Sequence, residues 1–118
     1  MTQSYKELIV WQKAMDLVIL IYRITEKFPE EEKFGLISQM RRCAVSIPSN
    51  IAEGRRRSTR KDYRSFIITA YGSGSELETQ IEIAERLKYI DKNDLAKVGG
   101  LLEEVMKMLN KFLSTLKS

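Results

Sequence analysis

The residues best equipped for chemistry sit in one stretch, SIPSNIAEGRRRSTRKDYRSF, from Ser46 to Phe66. Six basic side chains, Arg55, Arg56, Arg57, Arg60, Lys61 and Arg64, fall within ten residues directly behind Gly54. Guanidinium groups take phosphate oxygens two at a time, and several together give a salt-sensitive, sequence-tolerant hold on a nucleic-acid backbone. Arg57, Arg60, Lys61 and Arg64 lie three and four residues apart, so a helix carries them on one face, with Tyr63 beside it and Arg55 and Arg56 at the preceding turn. The competing reading is a solvated helix entrance whose arginines pair with Glu30, Glu31 and Glu32 of the same chain or of a neighbouring copy. No RNA-recognition-motif or zinc-finger signature accompanies the basic run, so base-specific readout is not expected.

A second polar group, Arg41, Arg42, Asn50 and Glu53, flanks the apolar stripe around Pro48. Its expected work is structural: Arg–Glu pairing, or an interhelical hydrogen bond that fixes register where the proline removes a backbone donor. The one cysteine, Cys43, has no histidine to act as its base, because the chain contains none; a free cysteine at a small, core-facing helix position behaves as a hydrophobe. The same lack of histidine removes Cys/His zinc sites and the Glu-x-x-His pairs of di-iron bundles. Glu76, Glu78, Glu82 and Glu85 read as one solvated end of a helix. The expectation is a chain with no catalytic residues, no metal and no cofactor.

Positioning these residues falls to a chain of 118 residues, long enough for one core and read as a single domain over 1–118. With 43% apolar and 31% charged residues and two prolines, the composition is that of a folded, helix-leaning protein. The charge is local: residues 41–64 carry eight basic and two acidic side chains, leaving the remainder slightly acidic. Such a patch suits a polyanionic partner. The longest apolar run, Leu17 to Tyr22, is far short of the roughly 20 residues of a membrane span. The opening MTQSYKE lacks the basic start and apolar region of a secretory leader. A cytoplasmic protein with no membrane partner is expected.

Four segments hold the three/four apolar period of helices and none alternates as a strand does. The first, Val10–Lys27, carries Trp11, Ala14, Val18 and Ile21, with Leu17, Ile19, Leu20 and Tyr22 widening the arc. The second, Glu31–Arg56, aligns Ile37, Met40, Ala44, Ile47 and Ile51; Pro48 lies inside the stripe, which keeps its phase, so a continuous helix kinked near Pro48 is predicted. The third, Thr59–Tyr89, places Tyr63, Phe66, Ala70, Leu77, Ile81 and Ala84 inward and holds the small residues AYGSGSE, whose glycines suggest close approach by another backbone. The fourth, Asn93–Leu116, aligns Leu95, Val98, Leu102, Val105, Leu109, Phe112 and Leu116. The economical fold is all-α, an antiparallel up-down four-helix bundle. Surplus apolar surface on the first and fourth segments points to self-association.

The strings ELIVWQKAMDLV, FPEEEKFGLISQMRRCAVSIPSNIAEG and FIITAYGSGSELETQIEIA stand in the order and spacing of the four-helix-bundle family of 23S rRNA intervening-sequence proteins, which the chain resembles from about Tyr5 to Leu116. The most specific part is QMRRCAVSIPSNIAEG, Gln39 to Gly54. The resemblance implies an up-down bundle assembled into a ring-like homopentamer, in a family whose activity is largely unassigned. Its members are encoded within insertions in bacterial large-subunit rRNA genes. The family is also similar to the pentameric accessory proteins of diversity-generating retroelements, basic proteins that associate with nucleic acid and a reverse transcriptase. The resulting expectation is a non-enzymatic, homo-oligomeric basic scaffold for RNA or DNA, with or without a protein partner in the same complex. The alternative is a protein-interaction scaffold whose basic patch serves subunit contacts.

Overall fold

In a computed structural model, which describes residues 4–117, four helices pack side by side around one core. The first three residues of the MTQSYKE opening lie outside that range. The helices are α1 (Ile9–Thr25), α2 (Leu36–Arg55), α3 (Arg60–Arg86) and α4 (Lys92–Thr115), and there is no strand among the described residues. Short 3-10 turns at Tyr5–Glu7 and Glu30–Glu32 precede α1 and α2.

Several boundaries have a local cause. Thr59 caps α3 by accepting from the Asp62 amide at 3.1 Å, and Asp91 caps α4 by accepting from the Asp94 amide at 2.7 Å. The Asp91 cap starts α4 at Lys92, one residue ahead of the periodicity. The periodicity predicts a second helix from Glu31, but the three glutamates form a separate 3-10 turn. Gly35, with φ −110° and ψ −111°, then stands outside helical space, so α2 opens only at Leu36. At the end of α3 the Tyr89 amide donates to Ala84 O and the Lys88 amide to Glu85 O, each at 2.9 Å, with Lys88 at φ 64°. That is a Schellman ending with lysine where glycine is usual, and it stops α3 three residues short of Tyr89. Pro48 lies buried in the interior of α2, which runs through it as one helix.

Leu17 and Ile21 of α1, Met40, Ile47 and Ile51 of α2, Ile67 and Leu77 of α3, and Val98, Val105 and Leu109 of α4 are fully buried. Along α2 and α3, partners pair in opposite order: Cys43 with Gln80, Ser46 with Ser73, Gly54 with Tyr63 and Phe66. The small-residue expectation resolves into separate cases. A Cβ on Gly74 would collide with Met106 Sδ, so that glycine admits α4, whereas a Cβ on Gly72 would meet nothing within 4 Å. Surplus apolar surface remains on α1 (Met15, Ile19, Tyr22) and on α3 (Ile68, Ile83). It is not left on α4, whose Leu101, Met106, Met108 and Leu113 are half-buried.

Candidate nucleic-acid interface

The six cations gather at the end of the bundle where α2 turns into α3 and α4 finishes. Arg55 closes α2 half-buried, its guanidinium 6.0 Å from the centre of the Tyr63 ring. Burial pushes the Tyr63 phenol upward, with Arg55 opposing. Arg56 lies over the Tyr5 ring at 5.2 Å, tying the first 3-10 turn to this end. Arg57 pairs with Glu53 at 2.6 Å and covers the Phe66 ring at 4.7 Å. Arg57 stands in the turn between the end of α2 and the Thr59 cap of α3, so it does not share the α3 face with Arg60, Lys61 and Arg64 as the spacing predicts, and its exposed ion pair contributes little.

Arg60 and Arg64 hold the other element. Arg60 donates to the carbonyl of Thr115 and Arg64 to that of Leu113 at 3.4 Å, so both clamp the last turn of α4, where helix carbonyls lack backbone partners and attract positive charge. Lys61, between them, is exposed. Glu30, Glu31 and Glu32 precede α2 while the arginines follow it, and a helix of 20 residues spans about 30 Å, so pairing within one chain is ruled out by distance. At that far end Glu32 instead accepts from the Tyr89 hydroxyl at 3.0 Å and from the Leu36 amide at 3.1 Å.

The second group does not converge. Arg41 faces α1: its Nε donates to the fully buried Thr25 hydroxyl at 2.9 Å, its Nη2 to Tyr22 O at 3.3 Å, and its guanidinium lies 4.4 Å from the Tyr22 ring centre. It clamps the last turn of α1 as Arg60 and Arg64 clamp that of α4. Arg42, one residue on, points toward α3 and lines a shallow cavity with Gln39, Cys43 and Glu76. The Asn50 amide donates to Ser46 O at 2.8 Å and to the Ser46 hydroxyl at 3.0 Å, and Glu53 belongs to the Arg57 pair.

Sequence reasoning missed the polar seam between α2 and α3. The hydroxyls of Ser46 and Ser73 meet at 2.7 Å, and buried Gln80 donates to Cys43 Sγ at 3.4 Å. Burial raises the Cys43 thiol, Gln80 and Arg42 oppose this and Glu76 adds to it, so the thiol stays protonated and unreactive. A glutamine on a buried helix stripe was the available signal. Glu78, Glu82, Glu85 and Glu103 line a groove of about 440 Å3 between α3 and α4. Among the described residues no three Cys, Asp or Glu side chains stand where they could share a metal ion.

A second open cavity, about 720 Å3, lies at the basic end, lined by Arg60, Lys61, Arg64, Ser65, Ile68, Leu116 and Lys117. Ile68, Leu116 and Lys117 were not among the expected site residues: Ile68 follows Arg64 by four residues on the same face of α3 and was readable from that spacing, whereas Leu116 and Lys117 reach the arginines only because α4 ends beside α3. No helix among the described residues is long and apolar enough to cross a membrane.

Among solved structures, the chain is similar to a protein of unknown function from the S23 ribosomal protein family of Bacteroides thetaiotaomicron VPI-5482. The two share 23% identity with a TM-score of 0.80, over 89% of this chain and 98% of that one. At that identity the likeness speaks to the fold. No curated protein matches. The family profile described as "23S rRNA-intervening sequence protein" matches residues 6–111. That span takes in all of α1, α2 and α3, the basic end included, and most of α4, so the chain belongs to the 23S rRNA-intervening sequence protein family.

Proposed function

We propose that this protein is a non-enzymatic basic scaffold that assembles from identical copies, five by the resemblance, and binds RNA or other nucleic acid through phosphate contacts without strong sequence readout. The observation that carries this reading is the gathering of Arg55, Arg56, Arg57, Arg60, Lys61 and Arg64 at one end of the bundle, with the glutamates of the α1–α2 connection held at the opposite end. A repeated basic end raises avidity, because later contacts become effectively intramolecular. Self-association is supported by two unlike apolar faces. Met15, Ile19 and Tyr22 mark α1, and Ile83 and Leu87 mark the far end of α3, two helices with no Cα atoms within 8 Å of each other. Unlike faces on different sides favour head-to-tail contacts, which close into a ring where the rotation between copies closes.

The test is binding of the purified protein to structured RNA across a salt series, beside a variant carrying Arg56→Gln, Arg57→Gln and Lys61→Gln. These substitutions avoid the two arginines that clamp α4. The variant is expected to lose about tenfold or more in affinity near 0.1 M salt, across unrelated sequences, with a shallower salt slope. Parent-like binding would remove the patch from the interface. Light scattering on the same samples checks assembly, and a mass of 13.7 kDa would contradict it.

A second reading has its own support. Arg60 and Arg64 bond carbonyls of α4, Arg57 pairs with Glu53 and Arg56 covers Tyr5, so much of the patch already serves packing. In that reading the protein is a protein-interaction scaffold, the basic end meets the glutamates of a neighbouring copy, and the triple variant breaks the assembly instead of RNA binding.

A further inference from the structure

We propose, building on the nucleic-acid reading above, that the basin between the start of α3 and the end of α4 seats one splayed nucleotide of a single strand, phosphate on its cationic rim and base on its apolar floor. The protein then prefers single strands to duplex. The basin, about 720 Å3, falls in the range of roughly 300–1,000 Å3 typical of small-molecule pockets. Its rim carries four cations, Arg60, Lys61, Arg64 and Lys117, and no acidic residue lines it. Its apolar floor is chiefly Ile68, 48% exposed, beside the buried Leu116, 8% exposed.

Two features separate this basin from a plain basic surface. Arg60 and Arg64 are held in place by the Thr115 and Leu113 carbonyls, and each bond uses one of the five N–H donors of a guanidinium. The remaining donors are thus presented from fixed side chains, which lowers the ordering cost of gripping a phosphate. The apolar floor offers nothing to a bare anion and nothing to a duplex, whose bases are stacked inside and whose phosphates line its outside. A single strand has free base faces, which stack on guanidinium planes with little regard for base identity, and an aliphatic floor takes such a face out of water. Ser65, also on the lining, adds one hydroxyl within the basin.

The experiment measures fluorescence anisotropy of the full chain with a labelled single-stranded RNA and with the blunt duplex of the same length, for the parent and for Ile68→Ser. The parent is expected to bind the single strand about tenfold more tightly than the duplex. Ile68→Ser should abolish most of that preference while leaving duplex affinity and the salt slope unchanged, since no charge is altered. Competition on the parent alone, with adenosine monophosphate against inorganic phosphate, should show the nucleotide displacing RNA at lower concentration, and this arm needs no variant to fold. Equal affinity for single strand and duplex, equal potency of nucleotide and phosphate, or a preference that survives Ile68→Ser would each overturn the proposal while leaving the basic-scaffold reading intact. Failure of the parent to bind either RNA would overturn both.

Discussion

A Cβ placed on Gly54 would stand 2.9 Å from Phe66 Cβ and 3.2 Å from the carbonyl oxygen of Tyr63. Neither atom can swing aside, because one is at the root of its side chain and the other is backbone. Gly72, on α3, meets nothing at the same test. Two glycines in helices therefore answer to different physics, and alanine substitution separates them. Gly54→Ala should destabilise by about 1–3 kcal/mol through overpacking where α2 meets α3. Gly72→Ala should stabilise by roughly 0.5–1 kcal/mol through helix propensity. Urea denaturation of both variants against the parent reads the two signs; a Gly72→Ala that destabilises would mean that a neighbouring copy covers that face. The arginines divide in the same way. Arg41, Arg60 and Arg64 each reach the final carbonyls of a neighbouring helix, a role fixed by where that helix stops.

Among the elements, α3 ends under strain that its sequence does not advertise. Lys88 holds φ 64°, a conformation that places a Cβ against the backbone, so that the Tyr89 and Lys88 amides can reach Ala84 O and Glu85 O. Lys88→Gly keeps both bonds and removes the clash. The expected result is a gain of about 1 kcal/mol in unfolding free energy with unchanged helicity. An unchanged or lowered stability would mean that the lysine side chain contributes more at this turn than its backbone costs. The returning chain here sets Tyr89 against Phe28, ring centres 5.3 Å apart, and against Glu32, which joins the two connections at this end. Hydrogen bonding to Glu32 is the main reason the Tyr89 phenol is raised.

Across the whole molecule, 46 Å in its longest dimension, the cations of the α2–α3 turn gather at one end. At the other end, which holds the α1–α2 and α3–α4 connections, Glu30, Glu31, Glu32, Asp91 and Asp94 stand with Lys27, Lys33, Lys88 and Lys92, so that end is mixed in charge. One consequence concerns alkali. The Cys43 thiol is raised from 9.0 chiefly by burial, and the Tyr63 phenol from 10.0 by the same cause. Tyr89 is raised from 10.0 by Glu32, and Lys27 from 10.5 by its hydrogen bond to Asp94. All four shifts are upward, so the folded chain holds these protons more tightly than the unfolded chain. Their stabilisation is complete below the ordinary values and is lost as pH rises through them toward the folded-state values. The urea midpoint should therefore fall steadily from about pH 9 to about pH 11, and replacing Cys43 with alanine should remove the earliest part of that fall. A midpoint flat across this range would contradict the shifts.

The sequence alone determined the four helices, because the three/four period of residues such as Ala14, Leu17 and Ile21 or Val98, Leu102 and Val105 is a local property of the chain, and burying those stripes leaves a bundle as the economical packing. It also marked the basic run behind Gly54, since charge density can be counted without knowing a fold. Boundaries were less legible: Gly35 and Lys88 act through backbone angles that composition does not reveal. The tertiary structure alone decided what the cations face. Arg41 and Arg42 are adjacent in sequence, yet the helical rotation between them sends one to α1 and the other toward α3. Arg60 and Arg64 become clamps only because α4 ends beside them, 49 to 55 residues further along the chain. The basin floored by Ile68 and Leu116 exists for the same reason: a cavity is a property of distant segments brought together, and a spacing rule reads only near ones.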